Sequence, residues 1–169
     1  MIKIIDDFFE KNLLINIQNH ITTKLHYVPV YLPGSVEKNK YTHYGNRFDL
    51  KKDEKLLNTF VTQSEKKFKI KIHKLKSAAI DIRNLDHFKP HYDDAALNLL
   101  VMLKGPTALT NGTVFYKGPL ENCELDMHVG FRENRAVLFP SHIVHSSHAS
   151  NVPNLKRYTS TLFIENYEE

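Results

Sequence analysis

The sequence has few of the features that mark membrane, secreted or disulfide-bonded proteins. Cys123 is its single cysteine among 169 residues, which excludes an internal disulfide and fits a reducing compartment. No apolar run approaches the ~20 residues that cross a bilayer. The opening "MIKIIDDFFEKNLL" lacks the basic start and apolar core of a secretion signal. We therefore expect a soluble, cytoplasmic protein without a membrane partner. The Lys-, Asn- and Ile-rich usage indicates an AT-rich genome, so the expected setting is a bacterium or a virus-infected host cell.

The chain also lacks a strong excess of one charge. Its 23 Lys and Arg against 19 Asp and Glu give a net charge of +4. Many of the lysines lie in "EKKFKIKIHKLK", and such a run is more typical of a solvated face than of a polyanion site. Nucleic acid is therefore not the expected partner, and a basic nucleic-acid-binding module is an alternative that rests on this run alone.

Repeats and low-complexity linkers are absent too, which predicts a single domain over residues 1–169. The part up to about residue 68 has helical periodicity in "DDFFEKNLLINIQNHITTKL" and "KDEKLLNTFVTQSEKKF". From about 69 to about 165, short runs rich in β-branched and aromatic residues follow, such as "ALNLLVML". The predicted class is α+β, an antiparallel sandwich or barrel with the N-terminal helices packed on one sheet.

Two segments are candidates for the lining of a pocket. The Tyr-rich stretch "HYVPVYLPGSVEKNKYTHYGN" (26–46) is expected to form loops with short extended pieces, and it has either a lid or a structural role. Asp81 and Arg83 point the same way in an extended strand. Two alternatives follow for Arg83: it lines the pocket, or it belongs to an exposed ion pair.

Two motifs of the β region carry candidate metal ligands. In "HYDD", His91 and Asp93 are two residues apart, so they face the same way in an extended segment. In "RAVLFPSHIVHSSHAS", an apolar strand ends in Phe-Pro, a turn follows, and His145 lies on the next strand. Two imidazoles and one carboxylate leave three coordination positions open, which suits non-heme Fe(II). A zinc hydrolase, which needs one open position, is the alternative.

The choice of ligands has competitors. His142 and His148 share the spacing of three with His145, but His142 follows "FPS" directly, where the turn is expected. His148 lies in a polar exit from the strand, so we favour His145. Asp94 is expected to point away from His91. A surface ion pair between His91 and Asp93 is the alternative to a metal site.

Four other residues are candidate contacts of a cosubstrate. Arg157 opens "RYTSTLFIE" and offers a bidentate partner for the distal carboxylate of a dicarboxylate. Thr159, on the same face, adds a hydroxyl. Tyr116 in "TVFYKG" is a candidate contact of cosubstrate or substrate, with core packing as the alternative. Asn98, on the strand after the acids, is a candidate hydrogen-bonding group in the pocket.

In their order and spacing, these motifs resemble one family. "HYDD", "TNGTVFY", "ENRAVLFPSHIVHSSHAS" and "RYTSTLFIE" are similar to the core of the 2-oxoglutarate- and Fe(II)-dependent dioxygenases, particularly the prolyl-4-hydroxylase-like branch. The opening "IKIIDDFFEKNLL" also resembles the N-terminal strand and helix of that family. The resemblance covers roughly the whole chain, and its specific motifs lie between residues 80 and 164.

The resemblance implies a double-stranded β-helix (jelly-roll or cupin-like), with Fe(II) at a catalytic centre of His91, Asp93 and His145 and 2-oxoglutarate held by Arg157. It implies that O2 hydroxylates an unactivated C–H bond while 2-oxoglutarate is decarboxylated to succinate. The nucleic-acid demethylases of the family have a second arginine soon after the cosubstrate arginine, which is missing here. The expected substrate is therefore a small molecule or peptide with a prolyl or other amino-acid side chain. A cupin-like metal-binding module or isomerase without redox chemistry is the alternative.

Overall fold

Helices and short strands alternate before the main β region begins. The computed structural model of the chain describes residues 1–31, 43–83, 89–148 and 156–169. Its helices are α1 (Lys11–Thr23) and α2 (Glu54–Phe68). Its strands are β1 (Lys3–Ile5), β2 (Val28–Tyr31), β3 (His43–Asp49), β4 (Lys71–Arg83), β5 (Leu97–Lys104), β6 (Ala108–Lys117), β7 (Glu124–Phe131), β8 (Arg135–Pro140), β9 (His145–His148) and β10 (Arg157–Glu168).

Both helices bury the apolar residues that their periodicity places on one face. Ile17 and Ile21 of α1 are buried, as are Leu56 and Phe60 of α2. The Asp53 carboxylate caps α2 by accepting a hydrogen bond of 3.0 Å from the backbone N–H of Leu56. Local sequence signals and burial therefore agree for both helices.

The strands form two antiparallel sheets. The larger sheet has seven strands in the order β1-β8-β5-β10-β4-β3-β2, and the smaller has the order β7-β6-β9. A bridge between His91 and His145 extends the smaller sheet beyond β9. The strands β1, β2 and β3 precede residue 69 and still join the larger sheet. The β region therefore begins earlier than the sequence pattern indicates.

Alternation along β5 separates two apolar clusters. Leu99 and Leu103 belong to a cluster that also contains buried residues of both helices. Met102 points to the other face, where it joins a second cluster with residues of the smaller sheet. Burying one such side chain stabilises the fold by roughly 1.5–3 kcal/mol. The second cluster joins the inner faces of the two sheets, and the cavity that contains the candidate site lies beside it.

The Tyr-rich segment of residues 26–46, for which a lid and a structural role are the alternatives, is only partly described. Its residues 32–42 lie outside the described ranges, while its ends form β2 and the start of β3. Val30 and Tyr31 line the cavity from β2, which is an edge strand of the larger sheet. Within the described ranges, neither helix has the length and apolarity that membrane spanning requires.

Candidate functional site

Two backbone hydrogen bonds bring the distant residues His91 and His145 together. The N–H of His91 donates to the carbonyl of His145 at 3.0 Å, and the reverse bond measures 2.8 Å. The centroids of the two rings lie 4.5 Å apart. Because residues paired in this way project to the same face, the bridge presents two imidazoles side by side.

Main-chain carbonyl groups set the orientation of both imidazoles. Nδ1 of His91 lies 2.9 Å from the carbonyl oxygen of Lys89, and Nδ1 of His145 lies 2.9 Å from that of Ile143. A carbonyl only accepts, so each Nδ1 donates its proton to the main chain and each Nε2 is the ring atom that faces the group. Histidines that bind metals commonly have this arrangement.

Asp93 completes the group. Its Oδ2 lies 3.2 Å from Nε2 of His145, and its Oδ1 lies 3.9 Å from Nε2 of His91. One ligand atom from each of the three residues lies within 4.8 Å of the others. The N–H of Asp93 donates to the carbonyl of Ser141 at 2.9 Å, so the turn that precedes β9 also positions the acid.

Asn98 supports the Asp93 carboxylate from β5. Its Nδ2 donates to Oδ2 of Asp93 at 2.5 Å, and its Oδ1 accepts a hydrogen bond of 2.9 Å from Oγ of Ser141. Asn98 and Ser141 are both buried. This hydrogen-bonded chain fixes the direction of the carboxylate, as supporting residues do in metal sites.

The electrostatic surroundings favour the protonation states that bind metals. Burial lowers the pKa of His91, and the nearby His145 lowers it further. Burial raises the pKa of Asp93, but the hydrogen bond and charge of His145, the charge of His91 and the hydrogen bond from Asn98 outweigh it, so this pKa lies below its usual 3.8. A charged carboxylate and a neutral imidazole are the forms that metals bind.

The competing ligands lie elsewhere. His142 is exposed. The ring of His148 packs against that of His128, with 5.5 Å between centroids. The side chain of Asp94 is 98% exposed and pairs with Lys76. None of the three competitors belongs to the group of potential metal ligands among the described residues.

Arg157 connects the two sheets across the cavity. It opens β10, and its Nη1 donates to Oδ1 of Asn111 at 2.6 Å, to the carbonyl of Gly112 at 3.1 Å and to that of His148 at 2.9 Å. The residue is 4% exposed. Because the acceptors lie on β6 and β9, the guanidinium of a residue in the larger sheet is held by the smaller one.

One cavity of about 290 Å³ contains the metal-ligand group, Arg157 and Thr159 in its lining. Thr159 is buried and faces the same way as Arg157. Met102, Phe131 and Phe139 provide apolar walls. A few convergent polar groups in an apolar cavity are typical of small-molecule sites.

Tyr116 is not part of this lining. The preceding residue, Phe115, faces His145, with 6.3 Å between ring centroids. Alternation along β6 therefore turns Tyr116 to the opposite face, where its hydroxyl lies 2.9 Å from Oγ of Ser146. Among the described residues that line the cavity, Asn98 is present and Tyr116 is not, and a contact of either residue with cosubstrate or substrate stays a prediction.

Two polar contacts of residues that line the cavity have no local signal in the sequence. Asn111 holds Arg157 through its side-chain oxygen. Arg47 lines the cavity and pairs with the buried Asp81 at 2.7 Å. Arg83 also lines the cavity, which is one of the two alternatives that the sequence left open for this residue. These contacts depend on strand pairing between residues that are far apart in the chain.

No family model and no curated protein matches the chain, but solved structures do. The non-heme α-ketoglutarate-dependent epimerase SnoN from nogalamycin biosynthesis is similar with a TM-score of 0.68 and 10% identity, over 97% of this chain and 78% of SnoN. HygX from Streptomyces hygroscopicus, solved with nickel and 2-oxoglutarate, gives 0.64 and 12%, over 99% and 82%. A prolyl hydroxylase from Trichoplax adhaerens, in complex with a hypoxia inducible factor peptide, gives 0.60 and 12%, over 97% and 83%.

At these identities the similarity is one of fold. Two antiparallel sheets and two helices match the double-stranded β-helix of these oxygenases. The narrower resemblance to the prolyl-4-hydroxylase-like branch stays a prediction. The chain therefore has the fold of the 2-oxoglutarate- and Fe(II)-dependent oxygenases, which confirms the fold that the resemblance of its sequence motifs implies.

Proposed function

We propose that the protein is an Fe(II)- and 2-oxoglutarate-dependent oxygenase that hydroxylates an unactivated C–H bond. The observation that carries the proposal is the meeting of His91, Asp93 and His145 within 4.8 Å, in a cavity that Arg157 also lines. Both the ligand set and the basic residue come from distant parts of the chain.

The chemistry of the donor atoms fits Fe(II). Two imidazole Nε2 atoms and one carboxylate would hold Fe(II) from one side and would leave positions for a chelating cosubstrate and O2. Carbonyl groups hold both imidazoles, and Asn98 holds Asp93, so the donors are oriented before a metal arrives. HygX and SnoN, which share the fold, have been solved with a metal and 2-oxoglutarate.

Arg157 and Thr159 are the proposed contacts of the distal carboxylate of 2-oxoglutarate. The three acceptors on Nη1 fix the plane of the guanidinium, and a fixed guanidinium pairs well with a carboxylate. When bound, Fe(II) and 2-oxoglutarate would supply the activation of O2: one oxygen atom would enter succinate as 2-oxoglutarate loses CO2, and the other would enter the substrate C–H bond as a hydroxyl group. The apolar walls at Phe139 and Met102 restrict water near this centre.

The proposed substrate is a small molecule or peptide with a prolyl or other amino-acid side chain. Support comes from the fold shared with a prolyl hydroxylase that was solved with a peptide. Other proteins of the same fold are an epimerase and a carbocyclase. Product analysis by mass spectrometry therefore has to look for a gain of one oxygen atom, which distinguishes hydroxylation from these outcomes.

The direct test measures succinate formed from 2-oxoglutarate with Fe(II) in air, together with 2-oxoglutarate affinity. We expect His145→Gln to abolish succinate formation and Arg157→Ala to weaken 2-oxoglutarate binding at least about tenfold, since a charge-assisted pair is lost. His142→Gln is the matched control, because His142 is exposed and outside the ligand group.

Metal binding without 2-oxoglutarate affinity and without succinate would contradict the proposal. Such a result would favour the non-redox, cupin-like metal-binding module. Equal loss of succinate in His142→Gln and His145→Gln would also count against the assigned ligand set.

A further inference from the structure

A second charged group lies in the same cavity, away from the metal ligands. Arg47 of β3 and Asp81 of β4 are paired in the strand register. Nε of Arg47 donates to Oδ1 of Asp81 at 2.7 Å, and its Nη2 donates to Oδ2 at 3.1 Å. Both residues line the cavity. The two parallel hydrogen bonds fix the plane of the guanidinium as well as its position.

The two partners differ in accessibility. The side chain of Asp81 is 3% exposed, whereas that of Arg47 is 39% exposed. A buried carboxylate thus orients a partly exposed guanidinium in the lining of the cavity. Less side-chain freedom remains to be lost when an anion binds to an arginine that is held in this way.

The position of Arg47 fits a ligand that lies beside the cosubstrate. Thr159 of β10 pairs in register with Asp81 of β4, and Asp81 pairs with Arg47 of β3. Arg47 therefore lies two strands from the proposed 2-oxoglutarate contact, towards the edge strand β2. Val30 and Tyr31 of β2 line the same side of the cavity, which gives this end an apolar wall.

The described residues of the cavity lining carry more positive than negative side chains. The lining contains the guanidinium groups of Arg47, Arg83 and Arg157 against the carboxylates of Asp81 and Asp93. A divalent cation and a dicarboxylate bound together would leave this balance unchanged. Positive potential in a cavity with apolar walls favours an anionic ligand.

We propose that Arg47, positioned by Asp81, binds an oxyanion of the primary substrate, a carboxylate or a phosphate. The inference rests on the proposed oxygenase function and narrows its substrate class. A carboxylate would make the substrate a free amino acid or the carboxyl end of a peptide rather than an internal peptide residue. A phosphate would make it a phosphorylated small molecule.

The test uses the full chain loaded with Mn²⁺ in place of Fe(II) and saturated with 2-oxoglutarate. Acetate and inorganic phosphate are titrated separately at constant ionic strength, and the paramagnetic relaxation of the acetate methyl protons and of the phosphorus nucleus is followed. We expect saturable enhancement by at least one anion in the wild type. The anion that binds more tightly distinguishes the two substrate classes.

Arg47→Gln and Arg47→Lys are expected to weaken that binding about tenfold, since two-point recognition of the oxyanion is lost. Arg47→Lys keeps a positive charge beside the buried Asp81, so it guards against a variant that fails to fold. Arg132→Gln is the control, because Arg132 is 53% exposed and pairs with Asp6 outside the cavity.

Unchanged anion affinity in a folded Arg47 variant would overturn the inference. It would also be overturned if neither acetate nor phosphate bound saturably to wild-type protein that binds Mn²⁺ and 2-oxoglutarate. Failure of the wild type to bind 2-oxoglutarate is a separate result. It would remove the proposed function and this inference together.

Discussion

At the scale of single residues, the orientation of the metal ligands depends on neighbours that bind no metal. The buried Asn98 donates to the partly buried Asp93 and accepts from the buried Ser141. We predict that Asn98→Ala lowers affinity for Fe(II) or Mn²⁺ about ten- to hundredfold, because the carboxylate loses its fixed direction. Electron paramagnetic resonance titration with Mn²⁺ measures this change. Thr161→Val is the control, since Thr161 lines the cavity and is not among the described hydrogen-bonding or ionic partners of Asp93. Equal affinities in the two variants would refute the role of Asn98.

The residues of the site differ in how far their sequence indicates them. His91 and Asp93 are recognisable because side chains two residues apart on an extended segment project from the same face. Tyr116 lies on the face of β6 opposite to that of Phe115, and the sequence alone does not indicate which face of this strand points to the cavity. Arg47 has no local signal, because it meets Asp81 through pairing of β3 with β4. Local spacing thus reveals ligands on one strand, whereas partners on different strands need the register.

At the scale of elements, one asparagine joins the β7–β8 turn to the N-terminal segment. Asn134 has φ of 66°, its Oδ1 accepts from the N–H of Phe9 at 2.8 Å, and its Nδ2 donates to the Phe9 carbonyl at 2.8 Å. We predict that Asn134→Ala lowers the free energy of unfolding by about 2–4 kcal/mol, since buried groups lose their partners and alanine is strained in this conformation.

Asn134→Gly separates the two causes. Glycine tolerates the left-handed conformation, so it should be less destabilising than alanine by about 1 kcal/mol. Urea unfolding measures both variants. Equal stability of wild type and both variants would contradict the proposed link between the turn and Phe9.

Elements with strong periodicity follow from the sequence, while short or edge strands do not. Both helices have apolar residues at steps of three and four, and both are present. β1 has three residues and is indicated only by the resemblance of the opening segment to the family, and β2 contains Pro29 and is indicated only as a short extended piece. The runs "KIKIHKL" and "SAAIDIRNL" contribute to one strand, β4, because β10 pairs with it along most of its length. Tertiary pairing therefore determines where these strands begin and end.

At the scale of the whole molecule, an ion pair near the N-terminus couples stability to pH. Arg135 donates to Asp6 at 2.7 and 3.0 Å, and Arg132 donates at 3.0 Å. The hydrogen bond from Arg135, opposed by burial, lowers the pKa of Asp6 from 3.8. The folded state therefore gains stability above the unfolded pKa and loses it as pH falls through the lowered value.

We predict that Asp6→Asn lowers the free energy of unfolding by about 1–2 kcal/mol at neutral pH, and that this difference disappears in acid. Urea unfolding of both proteins across the acidic range measures it. A difference that stays constant with pH would show that the charge of Asp6 is not responsible. The same curves test the proposed single domain over residues 1–169, which should unfold in one transition.

The fold class of the whole molecule was predictable because sequence order alone places helices before a strand-rich region. The pairing of strands was not, since the seven-stranded order joins elements from both ends of the chain. In the sequence, the resemblance to a known family depends on the order and spacing of a few motifs. The three solved structures compared above match the chain at 10–12% identity. At such identity, a few chemically constrained positions carry more information than the rest of the sequence.

The most direct measurement of the central claim is an anaerobic absorption spectrum of the protein with Fe(II) and 2-oxoglutarate. We predict a weak visible charge-transfer band, because chelation by the cosubstrate at a site of His91, Asp93 and His145 gives such a band. It should be lost in His91→Ala and Asp93→Ala and kept in His142→Gln. No band in the wild type, or an unchanged band in the ligand variants, would contradict the assignment of this site.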